Sequence, residues 1–144
     1  MFSYSQGRLH SKCFSFAIPE NISINPEPPS TTGDLIEFIS QNNTYRITIT
    51  IEPSFEGTRY ELEQYISEDA GGTPLEKIEP VTINELPGHQ LLYQGGNFEE
   101  YQIRLLHGTC EFVLHISTKK PNSIKSIVES EKVAALINSI RAQE

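Results

Sequence analysis

The sequence predicts an α+β domain, an antiparallel β-sheet flanked by helices, and three observations carry that prediction. Tyr45-Arg46-Ile47-Thr48-Ile49-Thr50-Ile51-Glu52 alternates polar and apolar residues, the period of a half-buried strand. Thr58-Arg59-Tyr60-Glu61, just behind it, fits a helix capping box. The Thr58 hydroxyl can accept from the Glu61 backbone N–H while the Glu61 carboxylate reaches back. Three more strand-like runs follow, and a helix with an apolar stripe ends the chain.

The first strand is Cys13–Ile18, with Phe14, Phe16 and Ile18 on one face and Pro19 ending it. Residues 1–12 read as a loose N-terminal arm of a single 1–144 domain. Residues 26–33 form a loop, because Pro26, Pro28 and Pro29 lack N–H donors and fix φ. Asp34–Ser40 is apolar at 35, 36, 38 and 39, a spacing that suits a helical turn as well as a strand. The turn residues Gln41-Asn42-Asn43-Thr44 favour a hairpin with Tyr45–Glu52, so both segments are taken as strands.

The first helix runs from about Thr58 to Ala70 and stops at Gly71-Gly72. Leu62, Tyr65, Ile66 and Ala70 form its inward stripe, while Glu61, Glu63, Glu68 and Asp69 face out. Strands follow at about Glu76–Ile83, His89–Gln94 and Glu99–Leu106, with turns at 84–88, 95–97 and 107–108. In Glu111–Thr118, Phe112, Leu114 and Ile116 alternate with Val113, His115 and Ser117, which predicts one buried face and one partly covered face. Near the C-terminus, Ile124, Ile127 and Val128 lie opposite in phase to Val133, Leu136, Ile137 and Ile140. One straight helix cannot bury both sets. A short turn at 123–128 and a separate helix, Glu131–Ala142 with Ser130 as N-cap, resolve the conflict. The expected core is Phe14, Phe16, Ile47, Ile49, Ile51, Leu62, Ile66, Phe112, Leu114, Leu136 and Ile140.

A length of 144 residues fits one domain with a real core. No run approaches the ~18 apolar residues of a membrane span. The opening Met1-Phe2-Ser3-Tyr4-Ser5-Gln6 lacks a basic and an apolar region, which predicts no signal peptide and a cytoplasmic location. A leader or lipoprotein anchor already removed would leave the same sequence. The formal charge is −8 and uneven: residues 19–117 carry sixteen acids against four bases, whereas both ends are basic. An acidic middle repels phosphate backbones, which argues against nucleic acid.

Three segments carry a family resemblance. Phe14-Ser15-Phe16-Ala17-Ile18-Pro19-Glu20 resembles the phenylalanine–x–isoleucine–proline opening of PsbP-like proteins. Ile83-Asn84-Glu85-Leu86-Pro87-Gly88-His89 is similar to their central turn, and Leu136-Ile137-Asn138-Ser139-Ile140-Arg141 to their final amphipathic helix. The order of elements from Ser11 to Arg141 matches better than any single motif. The resemblance implies the Mog1/PsbP-like α/β/α sandwich, a mostly non-enzymatic family that includes photosystem II extrinsic subunits, Ran-binding proteins, DcrB-like lipoproteins and Eag-type effector chaperones. This chain lacks a transit peptide and a lipobox cysteine, so the resemblance transfers a fold and an expectation of binding, and no functional residue.

Catalytic chemistry finds little purchase. His107, Cys110 and His115 are close in sequence, but Cys110 and His115 point to opposite faces of a regular strand. Zinc needs ligands converging at ~2.0–2.3 Å. His10 and Cys13 add no spacing that brings ligands together. With two cysteines and no framework, both are expected as free thiols, without zinc or calcium. There is no Gly-x-Ser-x-Gly elbow and no phosphate loop; Gly71-Gly72 and Gly95-Gly96 lack a basic partner. Asn21-Ile22-Ser23 and Asn42-Asn43-Thr44 match the glycosylation acceptor pattern, which matters only on a secretory route.

The expected function is therefore a non-enzymatic accessory domain, protein-binding or chaperone-like, without a cofactor or metal. Its partner is another protein, a second copy of the chain included. The alternative is a small-molecule or lipid-binding domain using a cleft beside the sheet. The expected partner surface comprises Glu61, Glu63, Glu68 and Asp69 with Tyr93, Glu99, Glu100 and Tyr101. The tyrosines also read as edges of the core.

Overall fold

The computed structural model describes residues 2–17, 22–26, 34–40, 43–53, 73–74 and 78–143. It is an α+β structure, mostly antiparallel sheet with two short helices. The strands are β1 (Ser3–Ser5), β2 (Arg8–His10), β3 (Phe14–Ala17), β4 (Ile22–Pro26), β5 (Asp34–Ser40), β6 (Tyr45–Pro53), β7 (Thr73–Pro74), β8 (Glu79–Ile83), β9 (Leu86–Gln94), β10 (Phe98–His107) and β11 (Cys110–Lys119). Helices α1 (Ile124–Val128) and α2 (Glu131–Asn138) follow, and β12 (Arg141–Ala142) closes the chain. The small sheet has the order β1-β2-β3-β12. The large sheet runs β4-β5-β6-β11-β10-β9-β7, with β8 also paired to β9.

Alternation fixes the inner face of the large sheet. Ile47, Ile49 and Ile51 sit opposite Ile116, Leu114 and Phe112 of β11. On the other side, Ile47 and Ile49 sit opposite Phe38 and Ile36 of β5. All are buried, and they form one core with Tyr101, Ile103 and Leu105 of β10. Paired residues share a face, so every even-spaced apolar position adds to the same layer.

Two structures cover this face. The small sheet docks through aromatic rings: Phe14 and Phe16 lie 5.4 and 5.7 Å from Phe112, and Phe16 lies 6.2 Å from Phe38, in tilted or edge-to-face geometry. Beside it, α1 lies against β10 and β11, and α2 against α1 and β3. Ile124 enters the core from α1 and Val133, Leu136 and Ile137 from α2, as the phase argument requires of two separate helices.

The C-terminal helix is shorter than its apolar stripe suggests. It ends at Asn138, with Ser139 as C-cap, and Arg141–Ala142 pair with Ser15 and Phe14 as β12. Ile140 remains on the stripe because its N–H still bonds to Ile137 O at 3.3 Å, and it is fully buried. The end of α2 is held from outside the helix. Asn84 Nδ2 donates to the carbonyls of Asn138 and Ile140, both at 2.8 Å, and Arg8 Nη2 donates to Ser139 O at 2.6 Å. Ser130 is the N-cap residue, but its hydroxyl donates back to Ile127 O at 2.5 Å.

Other differences are local. Residues 3–10, within the stretch read as a loose arm, form the β1–β2 hairpin around Gln6-Gly7. The turn between β8 and β9 is only Asn84-Glu85, both at positive φ, so β9 begins at Leu86 rather than His89. Gly88 therefore lies inside a strand, where a Cβ would collide with the Arg104 backbone. The β10–β11 turn falls at 108–109, and Gly108 supplies its positive φ of 59°.

The expectation of free thiols is overturned. Cys13, just before β3, and Cys110, first residue of β11, form a disulfide with Cα atoms 6.2 Å apart. The aromatic docking of the small sheet brings these strand ends together, a contact no cysteine spacing encodes. The expected helix at 58–70 lies outside the described residues.

Candidate functional site

The second face of the large sheet is largely polar, apart from buried Val113 and a small apolar cluster in which Ile78 and Phe98 pack on Leu91 and Tyr93. The residues that alternate with the core positions on β6, β10 and β11 stand in cross-strand rows. One row holds Arg46, Ser117, Glu100 and Tyr93; the next holds Thr48, His115, Gln102 and Leu91; a third holds Thr50, Val113, Arg104 and His89. Several residues of this face are as buried as core residues: Gln102 is 1% exposed, Arg104 4% and, in the next row, Glu111 1%. Buried polar groups must be paired. Glu111 faces Glu52 directly across the strands, a repulsive arrangement by itself. The Arg104 guanidinium offsets it: Nη1 bonds to Glu111 Oε1 and lies 3.9 Å from Glu52 Oε2. In the neighbouring row the Gln102 amide bonds to His115 Nε2 at 2.6 Å.

This polar face opens at the ends of β6, β10 and β11 into a pocket of about 480 Å³. Tyr45 and Phe98 supply aromatic surface, Asn43, Asn97 and Asn122 supply amides, and Arg46, Lys119 and Glu100 supply charge. Arg46 also pairs with Glu37, Nε to Oε2 at 3.6 Å. At the inner edge of the pocket, Tyr93 Oη donates to Glu100 Oε2. Burial holds the Glu100 carboxyl above the ordinary carboxylate range, and the Tyr93 hydrogen bond offsets only part of that. Burial likewise raises the Tyr45 phenol. The pocket thus combines flat apolar surface, neutral donors and acceptors, and charges of both signs.

A second, smaller cavity of about 180 Å³ lies between β9 and α1. Leu92, Tyr101 and Val128 line it beside Gln90, Lys125 and Glu129. Tyr101 Oη donates to Gln90 Oε1 at 2.9 Å, and burial pushes its phenol far above the ordinary tyrosine range.

The residues expected at a partner surface separate. Glu61, Glu63, Glu68 and Asp69 lie outside the described residues. Tyr93 and Tyr101 are 1% and 4% exposed, so their rings belong to the interior, the second of the two readings the sequence offered. Glu100 reaches the pocket, whereas Glu99 turns to α1, its Oε1 accepting from Ile124 N at 3.1 Å. His107, Cys110 and His115 do not converge: His107 packs against the edge of Phe14, Cys110 bonds to Cys13, and His115 pairs with Gln102. Among the described residues, no group of three or more His, Cys, Asp or Glu is placed to hold a metal ion. No helix among them is long and apolar enough to cross a membrane.

Sequence reasoning missed the Arg104 cluster and the strand-end pocket. Both sit at polar positions of alternating strands, which the period assigns to the surface. The available signals were apolar residues on that polar side, Val113 of β11 and Leu91 of β9.

No protein-family model matches the chain, and no curated protein matches it. Among solved structures, the fold is similar to that of a Bacteroides thetaiotaomicron protein, with a TM-score of 0.56 and 13% identity over 91% of this chain. The chain spans 45% of that protein's length. At that identity the likeness concerns the fold alone.

Proposed function

We propose that this chain is a non-enzymatic accessory domain that binds a partner protein, and that an extended segment of the partner enters the pocket at the ends of β6, β10 and β11. The observation that carries this reading is the mixed lining of that pocket. Small-molecule sites are mostly apolar with a few placed polar groups. Here aromatic edges alternate with three amides and charges of both signs, the composition of a protein interface, where tyrosine and arginine contribute contact area and backbone amides need partners. That reading takes the chain as a Mog1/PsbP-like sandwich, which its antiparallel sheet and two short C-terminal helices support. The acidic residues Glu61, Glu63, Glu68 and Asp69 then favour a partner that is basic overall, through association rate more than final affinity.

The test is pulldown with mass spectrometry, repeated with Arg46→Ala and Asn122→Ala. Both side chains are exposed, so folding should be unaffected. A stoichiometric protein captured by the wild type and weakened at least tenfold by the double variant supports the reading. Capture unchanged by the variants moves the contact elsewhere. A second reading, a small-ligand domain, is favoured by the cavity between β9 and α1; a co-purifying small molecule lost on Val128→Trp would support it instead.

A further inference from the structure

We infer that this protein matures and works in an oxidising compartment, because its two sheets are joined by a disulfide within the packed structure. Cys13 and Cys110 are 97 residues apart in sequence, so no local turn brings them together. Their meeting requires the small sheet to be seated on the large one. The neighbouring contacts do that seating: the Phe14 ring packs at a tilt against Phe112 at 5.4 Å, and the His107 and Phe14 rings meet edge-to-face at 6.2 Å. A separation of 6.2 Å between the two Cα atoms falls within the span that a bridge requires, roughly 4.4–6.8 Å.

The surroundings fit a permanent cross-link rather than an exchanging one. Cys110 is 6% exposed and Cys13 is partly buried, so a small reductant reaches the sulfurs poorly. No cysteine is left over to open the bridge from within. Forming it removes one proton from each thiol and two electrons from the pair. The acceptor is the disulfide of a thiol–disulfide oxidoreductase, which leaves as a dithiol. Reducing cytosols keep such thiols apart, whereas secreted and periplasmic proteins retain them. On this inference the location is extracytoplasmic, in place of the cytoplasmic one expected from the sequence.

Protein from its native cells should be acid-quenched, alkylated and mapped by non-reducing peptide mass spectrometry. A linked Cys13–Cys110 peptide in most molecules is the expected result. Two alkylated thiols in most molecules would overturn the inference. The acid quench guards against oxidation during handling, and a second measurement tests whether the bridge belongs to the packed structure. The purified oxidised protein, treated with reductant in mild denaturant, should lose several degrees of unfolding midpoint and regain them on reoxidation. An unchanged midpoint, with reduction verified by mass, would mean that the bridge does not staple the sheets.

Discussion

Leu136→Ala tests the packing of α2 on the sheet. Leu136 is 2% exposed and lies in the core between Val133 and Ile137 of its own helix. The change removes three side-chain carbons, each contributing about 0.8 kcal/mol of transfer free energy, so the transfer loss is about 2.4 kcal/mol. Relaxation around the site is incomplete, and the cavity raises the cost to about 3–4 kcal/mol, within the ~2–5 kcal/mol seen for such truncations. Helix propensity does not add to this, because alanine is the better helix former. The capping contacts of Ser139 are made to the Leu136 carbonyl, which the variant keeps. At an unfolding entropy of about 2.1 cal/mol/K per residue, a 144-residue chain should lose about 10–13 °C in Tm. Urea titration should show a lower midpoint with an unchanged slope. A loss under ~0.5 kcal/mol, the scale of surface substitutions, would refute the placement of this helix on the core.

Two further outcomes concern the polar face. Arg104→Leu should destabilise by about 3–5 kcal/mol, because Glu111 and Glu52 are left facing each other without their shared cation. In chemical denaturation, Arg104→Leu combined with Glu111→Leu should recover much of that loss, and simple additivity would show that the pair is uncoupled. Glu100→Gln should flatten the pH dependence of stability. The folded chain holds the Glu100 proton above its ordinary range, so this group's contribution is present at low pH and is lost as pH rises through the raised value. Thermal melts from pH 4 to 8 should therefore decline less in the variant, and an equal decline in both proteins would refute the assignment.

How much was legible follows from the range of each signal. Period-two alternation placed the inner residues of β6 and β11, because a side chain in a strand can face only two ways. Phe14, Phe16, Ile47, Ile49, Ile51, Phe112, Leu114, Leu136 and Ile140 are all buried as read. The phase mismatch between Ile124–Val128 and Val133–Ile140 located the break between α1 and α2. Boundaries set by distant partners were not legible. The stripe through Ile140 continues, yet Arg141–Ala142 leave the helix to pair with β3, more than a hundred residues earlier. The bridge from Cys13 to Cys110 has the same origin: it depends on which sheet docks where, and two cysteines without neighbours encode no partner.

The candidate site escaped for a different physical reason. An alternating strand divides its residues into apolar and polar, and the polar half is ordinarily solvated. Arg104, Gln102 and Glu111 follow that pattern and are nevertheless buried. Each satisfies burial through a partner on an adjacent position or strand, which local sequence does not specify. The same face turns outward at Arg46, Ser117 and Glu100, where the rows reach the strand ends and the pocket begins. Its chemistry changes along β10 from an ion pair between fully buried residues to a half-buried carboxyl whose pKa burial has raised. A partner entering at the open end would meet exposed Arg46, Asn97, Lys119 and Asn122 beside half-buried Tyr45, Phe98 and Glu100. These groups are reachable without opening the sheet, whereas Arg104, Gln102 and Glu111 are not, so the proposed contact lies at this end of the face rather than at its buried centre.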